Sequence, residues 1–362
     1  MRSLHIIDHF SLGGAQRIVE GIVCSMPDSK LLPLHKKGGD ERQIEIPDEK
    51  YLIKPGNNLF LQILKLLLET PRLIQKNNIQ IVHCHLQYSW IFGLWIYVCL
   101  PAKKRPKLVF HEHDFINLSR WYYPLFVRIV SRTGSLIAVS EFIQQHMIAC
   151  GVPAEKVNLL RNYVDLQRFS PGQRPELRRF GLNEQQVNGN TLIGFAGRLV
   201  EYKGWRMILK TADKLRDNNT LFLFAGDGPD KPKLIHEIQK LNLQEKVLLL
   251  GYVDHMIDFY RMIHILVIAS EKEAFGLVQM EAQACGVPVV VFDSQAAQEI
   301  HGDHSTIIVP NGDIQQLVSK IQELLDDRNL YDQMVVKSLA NARKYGLMPY
   351  LEKLSQLYQN LP

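Results

Sequence analysis

The chain has 362 residues, of which 46% are hydrophobic and 22% charged, and a formal net charge of +5. That length is generous for one core and fits two domains of ordinary size, and the composition is globular, with no internal repeat or low-complexity segment. Five scattered cysteines (Cys24, Cys84, Cys99, Cys150 and Cys285) are odd in number and lack metal-ligand spacing. They argue against a disulfide framework and for a reducing, cytoplasmic setting.

Met1-Arg2-Ser3 runs straight into the strand-like Leu4–Asp8, so no secretory leader is expected. Gly13-Gly14 follows that strand and opens a helix over Ala15–Cys24. Glycines here permit a close backbone approach to a ligand, although a plain tight turn reads the same way, and the G-x-G-x-x-G dinucleotide spacing is absent. Ile79–His83 is the next strand, with His83-Cys84-His85 at its end; a metal would need a third ligand, and a loop lining a cleft is the expectation. The apolar run Trp90–Leu100 is too short to span a bilayer and predicts a helix buried on a sheet. Lys103, Lys104, Arg105 and Lys107 follow it, and Trp121-Tyr122-Tyr123 with Leu125-Phe126 come after.

Lys107–His111 and Ser135–Val139 complete a first set of strands. Arg168–Asn190 is polar and without apolar period, and is the expected join. A second set comprises Thr191–Ala196, Leu221–Ala225, Lys246–Leu250, Ile265–Ala269, Val287–Val291 and Thr306–Val309. Helical patterns between them include Gly204–Leu215, Pro232–Leu241, Ile314–Leu325 and Leu330–Lys344, and Met348–Leu361 closes the chain. Alternating β and α elements imply parallel sheets covered by helices, wound as two Rossmann-like α/β domains over 1–170 and 171–346.

The two halves differ in charge: residues 1–180 carry a net +9 and residues 181–362 a net −4. The first half is therefore expected to meet an anionic partner. Basic residues beside an aromatic, amphipathic stretch suit an anionic membrane surface better than nucleic acid, and a solvated loop beside a core helix is the competing reading.

The richest stretch is SEKEAFGLVQMEAQACGVPVVV, Ser270 to Val291. Glu273 lies in a loop, Phe275-Gly276 lead into a helix beginning near Leu277, and Glu281 sits one turn inside it. A helix N-terminus binds phosphate, and flanking carboxylates suit polyol hydroxyls. The arrangement matches a phosphate between two polyols, the shape of a nucleotide-sugar.

This stretch resembles the E-x7-E motif of retaining glycosyltransferases with the two-domain GT-B fold, in particular the family 4 group. The same group shares, in this order, SLGGAQRIVE (Ser11–Glu20), IAVSEF (Ile137–Phe142), NYVDLQRFSP (Asn162–Pro171), FAGRLVEYKGW (Phe195–Trp205), LFAGDGP (Leu223–Pro229) and LGYV (Leu250–Val253). The resemblance implies two domains facing across a cleft, with the final helix, 347–362, crossing back to the first. It implies Glu273 at the transferred sugar, His113 of His111-Glu112-His113-Asp114 near that sugar, and Gly13 and Gly14 by the donor phosphates or sugar. Arg198 and Lys203 would neutralise the diphosphate, Glu281 would hold the ribose, Val253 would meet the base, and Phe275, Gly276 and Leu277 would line the donor site. Two cations on a diphosphate stand in for a divalent ion, so neither metal nor cofactor is expected.

The expected substrates are a nucleoside-diphosphate sugar, UDP before GDP, and a glycan or lipid-linked acceptor of a cell-surface polysaccharide. The expected location is the cytoplasm or the inner face of the membrane. Alternatives are an isomerase of the UDP-sugar 2-epimerase kind and a non-catalytic partner of the same fold. Two positions depart from the family pattern. Asn162-Tyr163 stands where Asn-Gly is common, and Ser294-Gln295-Ala296-Ala297-Gln298-Glu299 where Gly-Gly-x-Pro-Glu is common.

Overall fold

The computed structural model describes residues 1–10, 13–35, 44, 46–56, 58–302 and 304–361. Ser11 and Leu12 of the first glycine motif lie outside them. The chain forms two compact units, Met1–Tyr163 with Leu347–Pro362, and Val164–Gly346.

The first unit holds β1 (Ser3–His9), α1 (Gly14–Ser25), β2 (Ser29–His35), α2 (Leu59–Lys76), β3 (Ile81–His85), α3 (Gln87–Cys99), β4 (Lys107–Glu112), α4 (Tyr123–Ser131), β5 (Ser135–Ala138), α5 (Glu141–Ala149) and β6 (Val157–Leu159). Its sheet runs β2-β1-β3-β4-β5-β6, and every pairing is parallel. The second unit holds α6 (Glu184–Val187), β7 (Thr191–Ala196), α7 (Trp205–Lys214), β8 (Thr220–Ala225), α8 (Lys231–Lys240), β9 (Val247–Gly251), α9 (Met256–Met262), β10 (Ile265–Ile268), α10 (Leu277–Ala284), β11 (Val289–Phe292), α11 (Gln295–Ile300), β12 (Ile307–Val309), α12 (Ile314–Asp326) and α13 (Arg328–Arg343). Its sheet, also parallel, runs β12-β11-β10-β7-β8-β9. The last helix, α14 (Leu347–Gln359), belongs to the first unit.

Ten of these twelve strands follow from apolar runs in the sequence. β2 does not, because Pro33 interrupts it; proline cannot donate to a ladder, and β2 lies accordingly at the edge of its sheet. The other, β6, is only three residues long.

The first sheet has two dissimilar faces. On one, α3 approaches closely because it carries Gly93; a Cβ there would press on Cys84 Sγ and the Phe110 ring. On the other, Tyr358 of α14 reaches His83 and bonds its Nδ1 at 2.7 Å. Lys107 Nζ also donates to the Leu361 carbonyl oxygen at 2.6 Å, tying the end of the chain to the start of β4. Helix α3 is only partly the buried helix the sequence suggested. Trp90 and Ile96 are fully covered, but Ile91 is 55% and Val98 76% exposed.

Two chain crossings mark the division between units. Val164 pairs with Gly346 in a parallel bridge, and its N–H donates to the Tyr345 carbonyl oxygen at 2.8 Å. Just before it, Tyr163 replaces an expected glycine. Its hydroxyl lies 3.2 and 3.3 Å from the carbonyl oxygens of Arg17 and Ile18 in α1, and its ring packs on Tyr350 with centroids 5.0 Å apart. The space for that hydroxyl is the missing side chain of Gly21, where a Cβ would overlap it.

Gly21→Ala improves helix propensity by about 1 kcal/mol, yet it is expected to destabilise the protein by about 1–3 kcal/mol through overpacking. In a Tyr163→Ala background the same change should stabilise. Urea unfolding of the four proteins checks this reversal of sign, and destabilisation in both backgrounds would show that Tyr163 is not the obstacle.

Candidate active site

In each sheet the strand order reverses at one point, β1/β3 in the first unit and β7/β10 in the second. Loops leaving in opposite directions open a crevice there, beyond the carboxyl ends of the strands. Of the sequence-derived residues, Arg198, Lys203, Glu273, Phe275, Gly276, Leu277 and Glu281 follow β7 or β10 and Gly13 and Gly14 follow β1, whereas His113 follows β4 and Val253 follows β9.

In the second unit, loops after four adjacent strands are laced by backbone hydrogen bonds. Gly197 N–H donates to the Ala225 carbonyl oxygen (3.0 Å), Leu199 N–H to that of Asp227 (2.9 Å), Gly226 N–H to that of Gly251 (2.7 Å) and Glu271 N–H to that of Tyr202 (2.9 Å). Gly204 has φ +73°, and a Cβ on it would overlap the Ala269 carbonyl oxygen. This close approach seats the short 3-10 turn Glu201–Lys203 against the loop after β10. There Lys203 Nζ donates to Glu273 Oε1 at 2.6 Å, with the two side chains 22% and 21% exposed. Arg198 stands exposed two residues beyond β7.

Gly276, at φ +95°, is the N-cap of α10 and offers no side-chain cap; Gln279 N–H donates to the Gly276 carbonyl oxygen at 3.1 Å, and the N–H groups of Leu277 and Val278 are the ones a helix start leaves open to a ligand. Leu277 is its first residue. Phe275 is buried, 2% exposed, with its ring edge-on to Tyr345 at 5.8 Å; it anchors the loop and leaves only its backbone to line a site. Glu281 is half-buried, and its Oε2 accepts a hydrogen bond from Tyr260 Oη at 2.8 Å. Burial first, then the Glu281 charge, pushes the Tyr260 hydroxyl well above the ordinary tyrosine range, so it stays a donor. Tyr260 lies in α9, and nothing in its sequence context signals the contact. Val253 follows β9, three strand spacings from β10, or about 14 Å.

At the Ser294 departure, the serine accepts from Ala297 N–H at 3.2 Å and caps α11. The side chain thus takes up an N–H that a glycine would leave open.

In the first unit, Gly13 is the N-cap of α1 and Gly14 its first residue. Gly13 has φ −176°, an extended conformation open to any residue, so the absence of a side chain, not its torsion, is the relevant property. His113, just past β4, is part of a larger assembly. Strand register sets His5 beside His83 and His85 beside His111, and the period of two puts His83 with His85 and His111 with His113 on one face. His83 and His85 are fully buried within the sheet and do not form the cleft-lining loop expected from their position.

The rings are linked edge to edge. Ser29 Oγ lies 2.7 Å from Ser3 Oγ, which lies 3.2 Å from His5 Nε2; His5 Nδ1 lies 3.0 Å from His85 Nε2, and His85 Nδ1 lies 3.0 Å from His113 Nε2. A second branch runs from Tyr358 Oη through His83 to His111 Nδ1, the last step 3.2 Å. Burial lowers His5 and His113 to about 3 and holds His83, His85 and His111 well below the usual histidine range, so the rings are neutral. Nearby, burial raises Asp8 to about 7 while its Oδ1 accepts from Ser89 N–H at 2.8 Å near the start of α3. The alternate spacing of the four histidines was visible in the sequence; the register joining them to His5 was not.

Comparison with known proteins matches both units. Residues 15–168 fit the family described as Glycosyltransferase Family 4, and residues 182–340 that described as Glycosyl transferases group 1. The chain is 27% identical over 304 residues to alpha-D-kanosaminyltransferase of Streptomyces kanamyceticus, covering 77% of each protein. Its fold is shared with Anabaena HepE in complex with UDP and glucose (TM-score 0.80, 18% identity, 99% and 100% of the two chains). The lipopolysaccharide outer core galactosyltransferase WaaB shares it too (TM-score 0.67, 15% identity, 98% of each chain). With matched models over both units and one fold along its length, the chain belongs to the family 4 glycosyltransferases of the GT-B fold.

Proposed function

We propose that this glycosyltransferase takes its sugar from a UDP-sugar, retains the anomeric configuration, and delivers it without a metal ion to a glycan or lipid-linked acceptor of a cell-surface polysaccharide. The observation that carries this reading is the cluster at the β7/β10 switch point: Arg198, Lys203, the open start of α10 and two carboxylates with different partners. Both cations and the helix N-terminus suit a diphosphate. The span of about 14 Å from β10 to β9 leaves room for the nucleoside to reach toward Val253. UDP and glucose in HepE and the lipopolysaccharide role in the name of WaaB favour the same donor and setting.

Glu273 and Glu281 do not read as the two carboxylates of a glycosidase. Glu281 is held by a tyrosine hydroxyl, which suits a carboxylate shared with ribose. Glu273 is held by Lys203, so a donor diphosphate drawing Lys203 toward itself would release Glu273 toward the sugar. Charge on the leaving diphosphate is then stabilised by Arg198 and Lys203, and that diphosphate assists deprotonation of the acceptor on the same face.

Incubation with a panel of nucleotide-sugars in excess chelator tests the proposal. Slow hydrolysis of one UDP-sugar to the free sugar is expected, along with transfer once an acceptor is supplied. Epimer formation would favour the isomerase, inert binding the non-catalytic partner, and activity that returns only with magnesium or manganese would refute metal independence.

Glu273→Gln should mainly lower kcat, because its contact strengthens as charge develops on the sugar. Glu281→Gln should mainly weaken donor binding. A lost charge-assisted hydrogen bond is worth about 1.5–3 kcal/mol, a factor of roughly ten or more. Steady-state kinetics with the active donor separates the two, and wild-type kcat in Glu273→Gln would remove it from the chemistry.

The acceptor side is read as membrane-facing. Among the described residues no helix is long and apolar enough to cross a bilayer. Yet the first unit exposes Phe60 (74%), Leu61 and Leu68 on α2, Trp121 (91%), and Leu125 on α4. Of the four basic residues after α3, Lys107 is tied to Leu361. Arg105 lies 4.1 Å over the Tyr97 ring and donates to the Leu100 carbonyl oxygen. Lys103 and Lys104 are left for a headgroup. Changing both to Gln should weaken binding to anionic vesicles by ~2 kcal/mol at low salt, measured by co-sedimentation; equal binding of both proteins would return the lysines to a solvated loop.

A further inference from the structure

The histidine assembly is larger than sugar transfer requires. Two groups of three histidines each place one ring nitrogen within 4.8 Å of the others: His5, His83 and His85, and His85, His111 and His113. The first has no nitrogen to spare. Both nitrogens of His5 are engaged, by Ser3 and His85, and both of His83, by Tyr358 and His111. In the second group His111 Nε2 and His113 Nδ1 are buried with no hydrogen-bond partner among the described residues. Burying a polar nitrogen unpartnered is costly, and such a group in a native protein calls for a ligand or another explanation.

We propose that His85, His111 and His113 form a transition-metal site of the zinc class at the carboxyl end of the first sheet. Three imidazoles without a thiolate or carboxylate favour Zn2+ and its neighbours Co2+, Ni2+ and Cu2+ over Mg2+ or Ca2+. His85 Nδ1 and His113 Nε2 already face each other at 3.0 Å. Tetrahedral bonds of 2.0–2.1 Å place ligand nitrogens about 3.3 Å apart, so the ion enters between these two with little movement. His111 supplies Nε2, the nitrogen it has free among the described residues.

The outer hydrogen bonds fit one set of tautomers. With His85 Nδ1 on the ion, its Nε2–H donates to His5 Nδ1, and His5 Nε2–H donates to Ser3 Oγ. With His111 Nε2 on the ion, its Nδ1–H donates to His83 Nε2, and His83 Nδ1–H donates to Tyr358 Oη. Metal-bound histidines characteristically have their second nitrogen oriented by such a partner, as His85 and His111 do here, while His113 Nδ1 has none among the described residues. Three ligands leave the fourth position to water or a substrate oxygen. The site shares His113 with the residues expected near the transferred sugar, but the donor diphosphate is assigned to Arg198 and Lys203 and no step of transfer is routed through the ion.

The test is metal titration of the tag-free, full-length chain after removal of bound metal, with Co2+ as probe and Zn2+ as competitor. One equivalent of Co2+ should bind with the intense visible absorption of a tetrahedral nitrogen site and be displaced by Zn2+. His113→Asn, a change at a part-exposed position, should weaken binding at least ~100-fold, beyond the 10–100-fold typical of outer-shell losses, while its circular dichroism stays that of the parent. His111→Gln should do the same, and should it unfold, His113→Asn decides alone. The exposed pair His301 and His304, 3.3 Å apart, is the competing site, and the double variant to Ala should bind normally. The proposal is overturned by absence of a stoichiometric site, by its survival in His113→Asn, or by its loss in the His301/His304 variant.

Discussion

A parallel sheet must return its chain across a helix before each new strand, so all its strands end on one edge. That constraint organises both units. Wherever the strand order reverses, two neighbouring loops diverge and leave backbone groups and side chains facing open space. The Lys203–Glu273 pair lies at one reversal and the glycine loop and histidines near the other. Neither arrangement needs long insertions, because the topology itself brings residues 70 apart in the chain to 2.6 Å.

The charge pattern of the second unit has a consistent logic. An unpartnered lysine and glutamate at a crevice would each be strongly hydrated, and a ligand would have to strip both. Held together and about four-fifths covered, they satisfy each other. Glycines at 204 and 276 both adopt left-handed conformations: a Cβ on Gly204 would overlap the Ala269 carbonyl oxygen of a neighbouring loop, and one on Gly276 would press on Ile300 Cδ1.

Much of the fold was legible in the sequence because buried parallel strands are continuous apolar runs, as in Leu221–Ala225 and Val287–Val291. The strand β2 was hidden by Pro33, and β6 by its brevity. Of the site, residues within one motif were readable, such as Gly276, Leu277 and Glu281 on a single helix. Partnerships across elements were not: Tyr260 with Glu281, or His5 with His85, depends on register that period alone does not specify. Apolar content also misled at α3, where the run Trp90–Leu100 looks uniformly buried yet Val98 faces outward.

The bridge between Val164 and Gly346 has a further consequence. It makes the second unit an insertion whose two ends meet, so the segment from 164 to 346 is a cassette with its own core and adjacent ends. Segments with adjacent ends are those most readily transplanted between proteins. In this chain the cassette carries Arg198, Lys203, Glu273 and Glu281, while the surrounding unit carries the histidines and the exposed apolar helices. Grafting a relative's cassette between Tyr163 and Leu347 would therefore exchange one set of chemical groups wholesale and leave the other untouched, a recombination that the chain's own connectivity already outlines.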